Sequence, residues 1–538
     1  MIQIKRMFAF SIISLVAMTG CKKFVDVNVD QNNNISTRTD FIMSGALGTT
    51  FRNQVSTNVN IVPGTWTGIY AHSTSFTGGG NEKTYDFTTA DFNAFSPLFD
   101  NLGDYQYAIN NADKDGFSFW KDPANVMQCY VYQQLVDLYG DVPYTDALKG
   151  LANITPKYDK QQDIYEALVV RLDSAMDRMT RTTWPTSTDF TVQDIYFGLN
   201  KTRWLQFANT LKLRILMRQS FIPGRGTYIQ ANALTRLSNG FIDQNVLVQP
   251  GYLAITGKLN PFYEGFGYTV INNVTGGYSY RKMNAVLINW LINSGGSADT
   301  FRLQSLAYPA GSTFATGTLP LTSITSAPFT TVAAYKGIPL GVGSGYSTAT
   351  TSPIGPFVVQ VPLGTRAGMM MLLAEAKFLQ AEYTQRYGVT FGGASAQTLY
   401  EQGILAHFRT IAFPSTAGNS SNVGDAFALR YYNRPANNVS FIASTDKIRA
   451  ILLQKWIAFT HVNGLEQWSD YRKANTTSLG PTLSFTTAGI PSTPYTTALT
   501  SNPEPVRYLY PQGEFDNNGL NVPKNINRFT SKIFWDVN

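Results

Sequence analysis

A mainly α-helical protein is expected: a scaffold of helical hairpins, with long loops rich in aromatic, Gly, Thr and Ser residues laid across it and a few short strands. Three observations predict this. Several stretches carry apolar residues at helical spacing. They come in pairs, at 95–139, 160–220 and 366–412, with aromatic and small residues mixed on the inner faces. Between the pairs, residues 240–365 hold no helical period and are rich in Gly, Thr, Ser, Pro and Tyr, and residues 474–527 are a second such region. Hairpins of this character are tetratricopeptide-like, although no strict 34-residue repeat can be read.

In chain order, residues 1–20 read as a lipoprotein signal peptide. Lys5 and Arg6 form a positive start, and Met7 to Thr19 is an apolar run too short for the ~20 residues of a membrane-spanning helix. Thr19 and Gly20 then precede Cys21, which resembles a bacterial lipobox with Met18 where Leu is usual. Cys21 is therefore the expected lipidation site. Acyl chains there would anchor the chain stably, since each buried methylene contributes about 0.8 kcal/mol. Cys129 would then be the one remaining thiol, with no partner for a disulfide. Residues 21–40, polar and rich in Asn, are expected as a tether, and 41–538 as the folded body.

Within the body, residues 123–139 begin with Pro123 and stop at Gly140, with Met127, Val131, Leu135 and Leu138 on one face. Residues 201–219 repeat the pattern through Trp204, Phe207, Ala208, Leu211 and Ile215. Residues 366–387 predict one helix with Met369, Leu372, Leu373, Ala376, Leu379 and Tyr383 on its stripe. Residues 445–462 predict another, through Ile448, Leu452, Trp456 and Phe459, closed by Asn463-Gly464. Residues 240–365 are read as a loop-rich insertion of short strands and long ordered loops.

Composition narrows the function. Charged residues are only 14% of the chain, against roughly 25% in ordinary soluble domains. The net charge of +7 is spread along the chain with no run dense enough for a row of phosphates, so no nucleic-acid partner is expected. The three histidines, His72, His407 and His461, lie far apart. There is no H-E-x-x-H, and Val342 stands where a G-x-S-x-G elbow would need its first glycine. No catalytic residues are assigned and no cofactor is expected. Asn111, Asp113, Asp115, Gly116 and Asp122 have calcium-loop spacing, but Asp replaces the bidentate Glu at the last position. The segment lies between two predicted helices, where Asp and Gly are ordinary turn residues, and it is read as a connector with no metal.

Longer motifs carry a resemblance. YGDVPYTDAL (Tyr139–Leu148), WLQFANTLKLRILMR (Trp204–Arg218), LLAEAKFLQAEY (Leu372–Tyr383), QKWIAFTHVNGLEQWSDYRKA (Gln454–Ala474) and RYLYPQGEFDNNGLNV (Arg507–Val522) resemble the SusD/RagB family. The likeness is to its branch described as starch-binding, associating with the outer membrane. ADTFRLQSLAYPAG (Ala298–Gly311) is also similar, with Thr300-Phe301 where the family usually has a proline step. The resemblance implies a non-enzymatic, surface-exposed outer-membrane lipoprotein of Bacteroidetes-type bacteria. Such a protein captures nutrient, an oligosaccharide or a peptide, and acts as a lid on a SusC-like TonB-dependent barrel. It also implies four tetratricopeptide-like pairs. The matched motifs read as structural, with Trp456, Trp468 and Tyr471 expected in packing.

A sugar ring offers an apolar face and a rim of hydroxyls, so flat side chains on loops are the candidate ligand contacts. One group is Trp66, Tyr70 and His72. The other is Tyr263, Tyr268, Tyr278 and Tyr280, set with Phe266 among Gly and Asn. A non-nutrient structural accessory of an outer-membrane complex is the alternative function, since a helical scaffold also offers a large protein-binding surface. A surface glycosidase comes last for want of any motif.

Overall fold

The computed structural model describes residues 38–76, 80–186, 191–312, 332–341, 344–359, 363–412, 420–474 and 504–537. The signal peptide, Cys21 and nearly all of the expected tether lie outside the described residues. Ten principal helices form the scaffold. Its first half comprises α1 (Thr39–Gln54), α2 (Phe95–Asn111), α3 (Lys121–Tyr139), α4 (Gln161–Arg181) and α5 (Lys201–Arg218). The second half comprises α6 (Leu373–Tyr387), α7 (Ala396–Ile411), α8 (Ser420–Tyr432), α9 (Lys447–Ala458) and α10 (Gly464–Ala474). Each helix from α1 to α5 lies against the next, α5 meets α6, α6 pairs with α7 and α9, and α10 closes back on α3. The expected pairs are all present.

Local chemistry explains the ends. Asn200, Ser395 and Asp446 cap α5, α7 and α9, each accepting an amide three residues on at 2.9–3.1 Å. Gly388 ends α6 in the left-handed region, φ 71°, which a side chain would resist.

Helices α3, α5, α6, α9 and α10 meet around buried charge. Arg214 of α5 grips Glu375 of α6 in a fork, Nε–Oε1 2.5 Å and Nη2–Oε2 2.9 Å. Arg218, one turn on, reaches Glu466 and, at 3.0 Å, Asp470 of α10, and lies 3.6 Å from Asp137 of α3. Lys455 of α9 binds Asp470 at 2.9 Å, and Lys473 binds Glu382 at 3.2 Å. None of these side chains is more than 2% exposed. Four cations face five carboxylates, and Arg472 adds a fifth positive charge while donating to the Asp137 carbonyl at 2.8 Å. Near-balance is what makes such burial tolerable, because removing one partner strands another in low dielectric.

The structure corrects two helix expectations. Residues 368–371 form a strand, not the first turn of a helix. Of the six short strands among the described residues, β1 (Tyr70–His72) pairs with β5 (Arg281–Met283), β2 (Val142–Pro143) with β3 (Tyr158–Asp159), and β4 (Val246–Val248) with β6 (Gly368–Met371), all antiparallel. The apolar run of β6 fits a helical stripe equally well, and the tertiary partner β4 decides between them. Similarly, Asn463-Gly464 does not close a helix. α9 ends at Ala458, and Asn463 accepts the Glu466 amide at 3.2 Å, so it starts α10.

The segment 240–365 is more helical than expected, with turns at Pro261–Phe266, Gly276–Tyr280, Ala285–Ile292, Thr300–Leu306 and Pro356–Val359 beside the strands. Trp456, Trp468 and Tyr471 are core residues, each under 5% exposed. Among the described residues no helix is long and apolar enough to cross a membrane.

Candidate ligand-binding surface

Three loops converge beside the β1–β5 pair. Their alignment starts in the ladder, where Tyr70 stands opposite Met283 and His72 opposite Arg281. The chain leaving β1 is then clipped to two others. The Ser73 amide donates to the Tyr280 carbonyl at 3.0 Å, and the Thr74 amide to the Tyr346 carbonyl at 2.9 Å. The Tyr346 and Thr348 amides return bonds of 3.0 Å to the hydroxyls of Thr74 and Ser75. A hydroxyl-rich, glycine-rich sequence suits this work, because Ser and Thr side chains can replace ladder bonds where no regular strand runs.

The surface carries rings and charge. Phe76 is 42% exposed and stands edge-on to partly exposed Tyr280, with centroids 5.5 Å apart and planes at 82°. Tyr346 is partly exposed too, with the Lys336 ammonium 5.0 Å from its centroid. Beneath Tyr280 lies a polar base. The Tyr280 hydroxyl is 2.6 Å from His72 Nδ1, and Glu82 meets both His72 Nε2 and the Arg281 guanidinium. Burial alone would raise the Glu82 carboxyl, but Arg281 and His72 outweigh it and hold the group down to about 2. Burial lowers His72 from its ordinary value, against the pull of Glu82. These contacts lock the His72 ring and, through it, the angle of Tyr280.

The sequence-derived contacts divide. His72 and Tyr280 come together, with His72 buried beneath the partly exposed Tyr280 ring. Tyr263, Tyr268 and Tyr278 form a chain of rings, with centroids 6.2 and 5.3 Å apart, but each is at most 3% exposed and lies behind the surface. Lys282 sits over Tyr278 at 5.3 Å, its ammonium pushed down to about 8 by burial. Trp66 and Tyr70 are not on an exposed loop, and each is 1% exposed. The turn Val62–Trp66 packs on α10, which places the Trp66 indole among Phe87, Trp468 and Tyr508, while its N–H holds the Glu82 carbonyl at 2.9 Å. Tyr70 donates to His461 Nδ1 at 2.9 Å, inside the core. Sequence reasoning missed Phe76, Glu82, Arg281, Lys336 and Tyr346. The signal for Phe76 and Tyr346 was a lone ring flanked by Ser, Thr and Gly, without the clustering that drew attention elsewhere.

The calcium-like spacing at 111–122 resolves into separate contacts. Asp113 pairs with Lys121 at 2.6 Å, Asp115 accepts the Thr39 hydroxyl at 2.8 Å, and Asp122 accepts from Arg178 at 2.8 Å. Each carboxylate faces a different protein group. Among the described residues, no group of three or more His, Cys, Asp or Glu could hold a metal ion.

Residues 31–256 and 322–511 match the SusD-like family described as "Starch-binding associating with outer membrane". Comparison with curated proteins gives no match. Among solved structures, the chain is similar to a SusD homolog from Bacteroides fragilis NCTC 9343, with 19% identity, 93% of this chain and 99% of that one covered, and a TM-score of 0.68. A chitin-binding SusD homolog from Flavobacterium johnsoniae gives 21%, 92%, 99% and 0.67. An outer-membrane protein of Bacteroides vulgatus ATCC 8482, described as involved in nutrient binding, gives 19%, 93%, 100% and 0.70. At these identities the likeness to the solved structures is one of fold.

Proposed function

The chain belongs to the SusD-like family of starch-binding proteins that associate with the outer membrane, and from that premise we propose that it captures an oligosaccharide on the surface built by Phe76, Tyr280 and Tyr346. The observation that supports this most is the pair Phe76–Tyr280, perpendicular and partly exposed, above a locked polar base. Perpendicular rings can meet the apolar faces of neighbouring sugar units. The hydroxyl-rich loops and Lys336 supply donors for the sugar rim. The chitin-binding relative in Flavobacterium johnsoniae makes a glycan the first cargo to test. We read the protein as a binder and not an enzyme. Glu82 is committed to Arg281 and His72 is buried against it, so the group serves to hold Tyr280 in place.

In this reading Cys21 carries lipid, the protein sits on the outer face of the outer membrane, and it caps a SusC-like TonB-dependent barrel. Ligand held between cap and barrel would favour the closed arrangement through contacts that exist only there. The test is calorimetric titration of the mature chain with neutral oligosaccharides, chitin fragments first. Tyr280→Ala and Phe76→Ala should each weaken the bound glycan about tenfold; Phe76→Ala should do so without lowering the melting temperature, whereas Tyr280→Ala also leaves His72 Nδ1 unpaired and should lower it. Unchanged affinity in both variants overturns the assignment of this surface. Co-purification with a barrel, but no ligand-dependent stabilisation by any glycan, would favour the structural-accessory function instead.

A further inference from the structure

A second groove, of about 230 Å³, opens at the far end of the Ala285–Ile292 helix, whose other end leaves β5. Its walls are the Ser297–Phe301 segment, Phe408 of α7, and Phe427, Arg430, Tyr431 and Arg434 at the end of α8. Rings and guanidinium groups alternate through it. Arg430 lies 4.4 Å from the Phe427 centroid, and Phe427 lies 4.7 Å from Phe301, which stacks on Phe408 at 5.4 Å. Tyr431 has two guanidinium groups over its ring, Arg302 at 4.2 Å and Arg434 at 4.6 Å from the centroid.

The charge of this groove is positive and largely uncompensated. Arg302 is fully buried and paired with Asp299, so those two cancel. Asp425, the nearest acid along α8, is held by Arg409 at 2.6 Å. Arg434 commits Nη1 to backbone carbonyls, the best at 2.9 Å to Ser297, which fixes the group without neutralising it. Arg430 is exposed and, among the described residues, makes no ion pair with a carboxylate. A guanidinium stacked on a ring has its plane fixed while its N–H edge stays free. That is the geometry that receives a planar or tetrahedral oxyanion through two parallel hydrogen bonds.

We propose that this groove is a second ligand site, taking the anionic group of an acidic glycan, a carboxylate or a sulfate ester, on the exposed guanidinium of Arg430, with the charge of Arg434 beside it. Ser297 and Thr300 also line the groove and bring hydroxyl groups to it. The inference rests on the proposed function only for the sugar that bears the anion. The cationic groove is built from elements other than the Phe76–Tyr280 surface.

Titration of the full mature chain at about 50 mM salt, where screening is weak, tests it. Three probes are needed: trigalacturonate, a 6-sulfated chitobiose, and the neutral parent sugars. At least one acidic probe should bind tighter than its neutral parent, and Arg430→Gln should weaken it about tenfold. Arg430→Lys, which keeps the charge but loses the fork, should fall between. In a Phe76→Ala background, where the first surface is weakened, the acidic probe should still bind tighter than its neutral parent. Binding of one acidic probe alone identifies the anion as carboxylate or sulfate. The proposal is overturned if neither acidic probe exceeds its neutral parent, if Arg430→Gln binds the acidic probe as the wild type does, or if Phe76→Ala abolishes the preference for the acidic probe over its neutral parent.

Discussion

The Gly464 amide donates to the Asn60 side chain at 2.7 Å, and a Cβ on Gly464 would stand 1.9 Å from the Asn60 carbonyl oxygen. α10 therefore starts in contact with backbone laid down some four hundred residues earlier. The same helix supplies Glu466 and Asp470 to the buried charge cluster. Gly464→Ala should destabilise the protein by about 3 kcal/mol, since backbone must move to admit one methyl. Gly103, in the interior of α2, has open space where a Cβ would go. Gly103→Ala should instead stabilise by about 0.5–1 kcal/mol. Denaturant midpoints of the two variants check both signs.

Trp66→Ala is expected to lose about 3–5 kcal/mol of stability, the cost of emptying a large core site. The ring touches Phe87, Trp468 and Tyr508 and carries the Glu82 carbonyl, so glycan affinity should fall only as a consequence of a looser Glu82. A variant with normal melting and lost binding would show that Trp66 meets ligand directly.

Acid should destabilise the protein in two windows. Burial holds the His461 imidazole down to about 4, and His407 is lowered by burial as well. An unfolded histidine binds its proton near pH 6.5. Between pH 6.5 and 4 the unfolded chain thus takes up more protons, and stability falls as pH falls. Below the ordinary carboxyl value of 4.5, Glu82, held down to about 2, adds a second loss. His461 sits at φ 68°, a conformation Asn tolerates, so His461→Asn is the variant of choice. Its urea midpoint should change less between pH 7 and 5 than that of the wild type.

Cys129 is fully buried in α3, and burial pushes its thiol up to about 11. Native protein should not react with an aromatic disulfide reagent at pH 8, where a free thiol is partly ionised. Unfolding in guanidinium should release the reaction at once. Rapid labelling of the native state would mean that α3 opens locally.

Radioactive palmitate should label the protein in cells and fail to label Cys21→Ser. Absence of label on the wild type would remove the anchor from the proposed function.

Local pattern determined the helices α3 and α5: Pro123 lies in the first turn of α3, which begins two residues earlier than the proline suggests, Gly140 follows its last turn, and Asn200 caps α5. It also determined the pairing of helices and the burial of Trp456 and Trp468. The motifs that carry the family resemblance turn out to hold the buried ions Arg214, Arg218, Glu375, Glu382, Lys455, Glu466, Asp470 and Lys473, whose partners lie on other helices. Their presence was legible, but their pairing was not. Tertiary structure decided the rest. β4 turned the apolar run at 368–371 into a strand, and Asn463 became a cap only because α10 begins where Asn60 waits. The candidate surface belongs to this second class. Phe76, Tyr280 and Tyr346 are far apart in the chain, and a lone ring beside Ser and Gly reads alike whether it faces core or water. Only the bonds joining three irregular loops decide which way it faces.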